Sequence, residues 1–206
     1  MITLARRKEH THEQIKTMAI EAVVMHLQHD NIETLSLRKV ASLIGYVPST
    51  LINIFGSYHY LLLAVSEQTL AQLANKLSLE MNDNPLLNIQ QMATIYSEFA
   101  LQNRRCFRLV FELSMPDDQP LPIAHLSLIK SLFGLVESQL LQYFPEADSQ
   151  KIEMMSRVLW GAIHGLTSLA LDGKLFEEQS CLQDMLISHV QSYIAGMSIK
   201  KEFTCY

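Results

Sequence analysis

Glycine and proline are scarce in this chain, seven and six among 206 residues. So few helix breakers leave room for long helices. The clusters of β-branched and aromatic residues that strands need between turns are equally sparse. The expected fold class is therefore all-α. Charged residues amount to only 18% against 49% hydrophobic, a balance that excludes a disordered or low-complexity chain. Cysteine occurs three times, as Cys106, Cys181 and Cys205, an odd number without metal-ligand spacing. Reduced thiols in a cytoplasmic protein are expected rather than a disulfide framework. No apolar run approaches the ~20 residues that a membrane helix needs. The opening residues are polar and basic (Arg6, Arg7, Lys8), without the apolar core of a signal peptide. A soluble protein with no membrane partner is expected.

Catalytic signatures are missing as well. There is no Gly-rich phosphate loop, no G-x-S-x-G and no H-E-x-x-H. The chain reads as neither an enzyme nor a cofactor carrier. His10-x-His12 and His26-x-x-His29 lack further ligands, so solvated or core histidines are expected and no metal site. No internal repeat occurs.

The net charge of −5 seems to argue against a nucleic-acid partner, but its distribution is uneven. Residues 1–60 hold six Lys/Arg (Arg6, Arg7, Lys8, Lys16, Arg38, Lys39) and five acids, a balance of +1. The other residues therefore carry −6 of the total. A near-neutral head on an acidic body is compatible with DNA at the head.

Along the chain the helical signals are regular. Ile15, Met18, Ala19, Ala22, Val23 and Leu27 follow the i, i+3, i+4 rhythm of a helix from about Thr11, a suitable N-cap, to Gln28. Ser36 caps a short helix with apolar positions at Leu37, Val40, Ala41 and Ile44, which Gly45 ends in a left-handed conformation. Pro48 suits the first position of a second short helix that presents Leu51, Ile54 and Phe55. Two helices of about two turns joined by a Gly-containing turn are a helix-turn-helix pattern. Being short, they need the first helix packed against them. Ser57 caps a longer helix, Tyr58 to about Met81, broken at Asn82-Asp83-Asn84-Pro85. Helical pattern resumes over Leu86–Asn103 and Cys106–Leu113, and Pro116–Pro122 reads as a loop. Later helices cover Ile123–Tyr143, Asp148 or Ser149 to Leu171, and Glu177–Met197. The last places residues 182, 185, 186, 189, 190, 193, 194 and 197 in nearly a heptad seam.

The segment Ser36-Leu37-Arg38-Lys39-Val40-Ala41-Ser42-Leu43-Ile44-Gly45, followed by Thr50-Leu51, Phe55, Ser57 and Leu61, resembles the helix-turn-helix of the TetR family of bacterial regulators. In the body, Tyr96, Phe99-Ala100, Phe107-Arg108-Leu109-Val110-Phe111 and Trp160-Gly161-Ala162-Ile163-His164-Gly165-Leu166 resemble a C-terminal subtype marked by a Trp…His-Gly motif. The resemblance implies about nine helices: a three-helix DNA-binding head (1–60) and a helical body for effector binding and dimerisation (61–206). It departs from the family pattern at Val47, Ser49, Ile52 and Tyr58, where Ser, Gly, Tyr and Lys are usual. The usual Tyr and Lys touch DNA phosphates.

By this resemblance the partner is a double-stranded operator. Val47, Pro48, Ser49, Thr50 and Asn53 would stand at the bases, where Asn suits adenine and apolar groups suit thymine methyls. Ser36, Arg38 and Lys39 would contact phosphates, Arg6, Arg7 and Lys8 would form a basic arm, and Tyr58 and His59 would add contacts at a helix start. Leu37, Val40, Ala41, Ile44, Leu51 and Phe55 are core positions. The resemblance further implies a homodimer through the last two helices and a small, apolar effector. Tyr96, Phe99, Phe107, Phe111, Trp160 and His164 are its candidate lining. The function implied is operator binding by a repressor. The second reading is a helical ligand-binding or adaptor protein that keeps the fold and has lost specific DNA binding.

Overall fold

A computed structural model of the chain describes residues 10–78, 81–115, 120–175 and 179–199. Among these, the regular elements are all helical: α1 (His12–His29), a 3-10 turn (Ile32–Thr34), α2 (Leu37–Leu43), α3 (Pro48–Phe55) and α4 (Tyr58–Leu77). There follow α5 (Pro85–Gln102), α6 (Arg104–Glu112), α7 (Ile123–Tyr143), α8 (Ser149–Leu171) and α9 (Gln179–Ile199). The all-α class expected from the composition is the class observed. Helix α4 is shorter than its pattern, since Met81 already lies outside helix. Arg6, Arg7, Lys8, Cys205 and the expected start of the last helix at Glu177 lie outside the described residues.

The chain divides into two compact units. One draws on Met1–Thr69 and Arg105–Pro120, the other on Leu70–Arg104 and Leu121–Tyr206. This differs from a single cut after residue 60. The first unit extends into α4, and it recruits α6 from the middle of the sequence.

In the first unit, the head, local rules set the elements. Thr11 and Gln14 form a capping box at the start of α1, worth about 1 kcal/mol. Helix α1 turns Ile15, Ala19, Val23 and Leu27 inward, one residue per turn. The side chain of Ser36 caps α2 by accepting from Lys39 N. At the other end of α2, Gly45 takes φ 76°. There Gly45 N donates to Ser42 O and Tyr46 N to Ala41 O, the paired bonds of a Schellman cap. Pro48 opens α3. Val40, Ala41, Leu51, Leu61 and Val65 then close a core with the α1 stripe.

Leu109 of α6 belongs to that same core, with Cys106 and Leu113 packed against it. Arg105 anchors α6 to the C-terminal end of α1. Its guanidinium donates to the carbonyls of Leu27 and Gln28 and to Oδ1 of Asn31, each at 3.1 Å. These carbonyls have no partner inside α1, and a cation at a helix C-terminus opposes the helix dipole favourably. One histidine of each pair serves structure here: His10 Nδ1 meets the Tyr46 hydroxyl at 2.8 Å, and His26 meets Asn31 O and Thr34.

The second unit, the body, packs α5, α7, α8 and α9 together. Tyr96 pairs with His164, and Arg104 caps α8 at the Leu171 carbonyl, so α5 and α8 run parallel. Glu137 meets Arg157 and Phe133 meets Trp160, so α7 runs antiparallel to α8. Within this core Asn88 and Gln139 bond at 2.7 Å, satisfying two buried amides that would otherwise be costly. The seam of α9 (Leu182, Leu186, Val190, Ile194, Met197) is buried inside the protomer, where α9 packs on α5 and α8. An outward apolar face is found instead on α8, at Met154, Val158 and Leu169.

Candidate functional site

Two groups of side chains are candidates for function. The first is on α3. Leu51 is fully buried and orients the helix, which leaves Ser49, Ile52, Asn53 and Gly56 exposed. Those positions follow the i, i+3, i+4, i+7 spacing of a single helix face. Val47, just before the helix, is 60% exposed, and Ile52 is 41% exposed. Pro48 and Thr50 are half-buried. Arg38 and Lys39 are exposed at the start of α2, which packs on α3. The Lys39 ammonium donates to Thr34 O at 3.4 Å, and Ser36 is exposed with its hydroxyl engaged as the cap. Between Ser36 and Tyr58 there are two cations and no acid.

Tyr58 and His59 are placed otherwise than the sequence suggests. The Tyr58 ring packs on the head core, and its hydroxyl is buried without a hydrogen-bond partner among the described residues. Burial pushes that hydroxyl up to about 12. His59 turns its Nε2 to the Met115 sulfur at 3.3 Å. Both side chains are half-buried, and Tyr60 in the same turn is exposed. Ile52, which stands where a phosphate-binding Tyr is usual in the resemblance, lies exposed on α3. Only its exposure in the fold marks it as part of the α3 face.

The second group lies in the body. The Tyr96 hydroxyl and His164 Nδ1 are 2.8 Å apart, and His164 Nε2 is 3.3 Å from the Ser168 hydroxyl. Trp160 stacks on the imidazole with centroids 5.1 Å apart at 19° and meets Phe133 edge-on at 5.7 Å. The Arg157 guanidinium lies 3.8 Å over the Phe133 ring while bonding Glu137 at 2.5 Å. Burial raises the Tyr96 hydroxyl well above its ordinary range and lowers His164, which favours the neutral imidazole. Trp160 remains 37% exposed. Phe99 is buried, with the Lys76 ammonium 5.6 Å from its ring centroid. Of the six aromatic positions expected to line an effector site, the structure joins Tyr96, Trp160 and His164 directly. Phe107 and Phe111 pair with each other on α6 at 5.0 Å, within the head. Among the described residues no group of three or more His, Cys, Asp or Glu is arranged to hold a metal ion. None of the described helices is long and apolar enough to cross a membrane.

The first unit carries a helix-turn-helix, and the second is built of helices alone among the described residues. The family profile described as tetracyclin repressor-like, C-terminal domain, matches residues 89–190. A protein of unknown function from a Rhodococcus species superposes with TM-score 0.75 at 18% identity, over 93% of this chain and 98% of that one. The TetR-family transcriptional regulator PfmR from Thermus thermophilus gives TM-score 0.60 at 14% identity, over 86% and 97% of the two chains. A TetR variant from Acinetobacter baumannii, solved in complex with minocycline, gives TM-score 0.64 at 16% identity, over 89% and 96%. At these identities the likeness is one of fold. No curated protein matches the chain in sequence. Profile and fold agree, and the chain belongs to the TetR family of transcriptional regulators. Such regulators are not enzymes.

Proposed function

We propose that this protein binds a palindromic DNA operator as a homodimer and represses from it until a small apolar effector binds the body. The observation that carries the reading is the α3 face, a solvated stripe on a short helix whose opposite side is locked into the head by Leu51. A helix held this way can enter a major groove, and the cations of α2 beside it suit the phosphate backbone. The DNA-binding domain expected over residues 1–60 would be the head, completed by the start of α4 and by α6, and the remainder of 61–206 would be the effector and dimer domain. Ser36, Arg38 and Lys39 would hold phosphates, and Val47, Ser49 and Asn53 would meet base edges with Pro48 and Thr50 at the edge of the contact.

Two copies are needed because one short helix reads only a few base pairs. With the α9 seam occupied within the protomer, the outward face of α8 (Met154, Val158, Leu169) is the surface that the last two helices bring to a partner. For the effector, Trp160 and His164 offer a stacking surface with an apolar surround, the chemistry of an aromatic small molecule. The minocycline complex of the Acinetobacter relative supports a ligand role for the body.

The alternative reading, a regulator fold without DNA binding, draws on the inward turn of Tyr58 and His59. Capture of genomic fragments by the purified full-length protein separates the two. Enrichment of palindromic fragments with half-site centres about 34 Å apart is the outcome expected of the operator reading. An unenriched pool would leave only the alternative.

A further inference from the structure

We propose that the α3 face is a reader of thymine methyl groups: Val47 and Ile52 contact thymine C5 methyls, Asn53 pairs with a neighbouring adenine, and the operator half-site is accordingly rich in A·T pairs. The inference rests on the DNA-binding reading above and adds the class of base that is read.

The chemistry of the face narrows the choice. Guanine is read in the major groove by Arg or Lys on O6 and N7, and cytosine by a carboxylate on N4. From Gly45 to Tyr58 the chain has no residue of either kind. The exposed side chains of the stripe are a hydroxyl (Ser49), an amide (Asn53) and two branched apolar groups, Val47 and Ile52. An amide has its bidentate partner in adenine N6 and N7, and an apolar side chain in the major groove has its partner in the thymine methyl. Both preferences select the same base pair. Ile52 is three residues after Ser49 and one before Asn53, on the flank of the same exposed side of α3, so a groove that admits the two polar groups also meets the isoleucine.

A second copy of the chain is the competing occupant of an exposed apolar surface. Two features argue against it. The apolar groups alternate with polar ones, and Arg38 and Lys39 on the adjoining helix would be brought together with their own copies. The same cations complement a polyanion.

The test uses fragments captured by the full-length protein, resynthesised with thymine or with uracil in the half-sites and titrated by fluorescence anisotropy. Uracil lacks only the methyl group. The expected result is weakening of about fourfold for each contacted methyl. The thymine-to-uracil ratio should fall toward one in Ile52→Ser combined with Val47→Ala. Both side chains are exposed, so an unchanged circular-dichroism melt is expected and checks that the variant folds. Equal affinity of the wild-type protein for thymine and uracil duplexes overturns the proposal, as do captured half-sites dominated by G·C pairs. Self-association that Ile52→Ser abolishes, without a uracil effect, assigns the face to a second copy and overturns it too. Failure to capture any DNA sinks the operator reading itself, a result distinct from DNA bound without regard to methyl groups.

Discussion

The hydroxyl of Tyr96 and Nδ1 of His164 lie 2.8 Å apart, joining α5 to α8 at the ring on which Trp160 stacks. Both groups are drawn out of water, so each needs the other. Tyr96→Phe and His164→Gln should each lower body stability by about 1 kcal/mol. The double variant should lose less than the sum, because each single change leaves one group without its partner. Urea unfolding of the three variants against wild type measures this directly.

His164 also makes stability depend on pH. Burial holds its folded value below the ordinary 6.5. The unfolded chain therefore takes up the proton first as pH falls. The contribution is complete above 6.5 and is lost progressively from there down to the folded value. Unfolding midpoints should fall as pH drops below 6.5, and less steeply in His164→Gln. His189 is lowered by burial too and should contribute in the same direction, so the slope is reduced rather than abolished. Trp160 is the only tryptophan, and its emission should titrate with a midpoint under 6.5 in the folded protein but not in His164→Gln.

Arg105 should matter to the head although it lies far from the head helices in sequence. Arg105→Ala removes a charged donor from three oxygens at the end of α1, at a cost of about 1–2 kcal/mol given its partial exposure. Arg105→Lys should recover part of this, since an ammonium keeps the charge without the planar fork. Hydrogen exchange at the C-terminal turn of α1 should rise in the alanine variant. Unchanged exchange there would contradict the anchoring role.

Gly45 has φ 76° and no heavy atom within 4 Å of where a Cβ would stand. A substitution there meets no clash, only the backbone penalty of the left-handed region. Gly45→Ala should therefore cost about 1–2 kcal/mol, and Gly45→Asn less. A larger loss in thermal denaturation would mean that the turn between α2 and α3 has a second constraint.

Much of the head was legible residue by residue because its signals are local. Thr11, Ser36, Gly45 and Pro48 act through hydrogen bonds or backbone angles within a few residues, and each occupies the position its chemistry suggests. What escaped depends on partners distant in sequence. The pattern of α6 shows an apolar side without showing that Leu109 enters the head core. The heptad-like seam of α9 does not distinguish a partner copy from α5 and α8 of the same chain. Tyr58 at a helix start suggested a hydroxyl turned to solvent, whereas the aromatic ring found more apolar surface to cover in the head. Exposure of Ile52 is likewise a tertiary fact, visible once Leu51 fixes the rotation of α3.

The salt dependence of DNA binding probes the central claim most directly, because neutralised phosphates appear as a slope. On a captured duplex, Arg38→Ala with Lys39→Ala should weaken binding and lower the slope of log affinity against log salt by roughly three to four, for two lost cations in each half of a dimer. A double variant that kept the wild-type affinity and slope would show that these cations do not face DNA, and the head would not be the operator-binding surface described here.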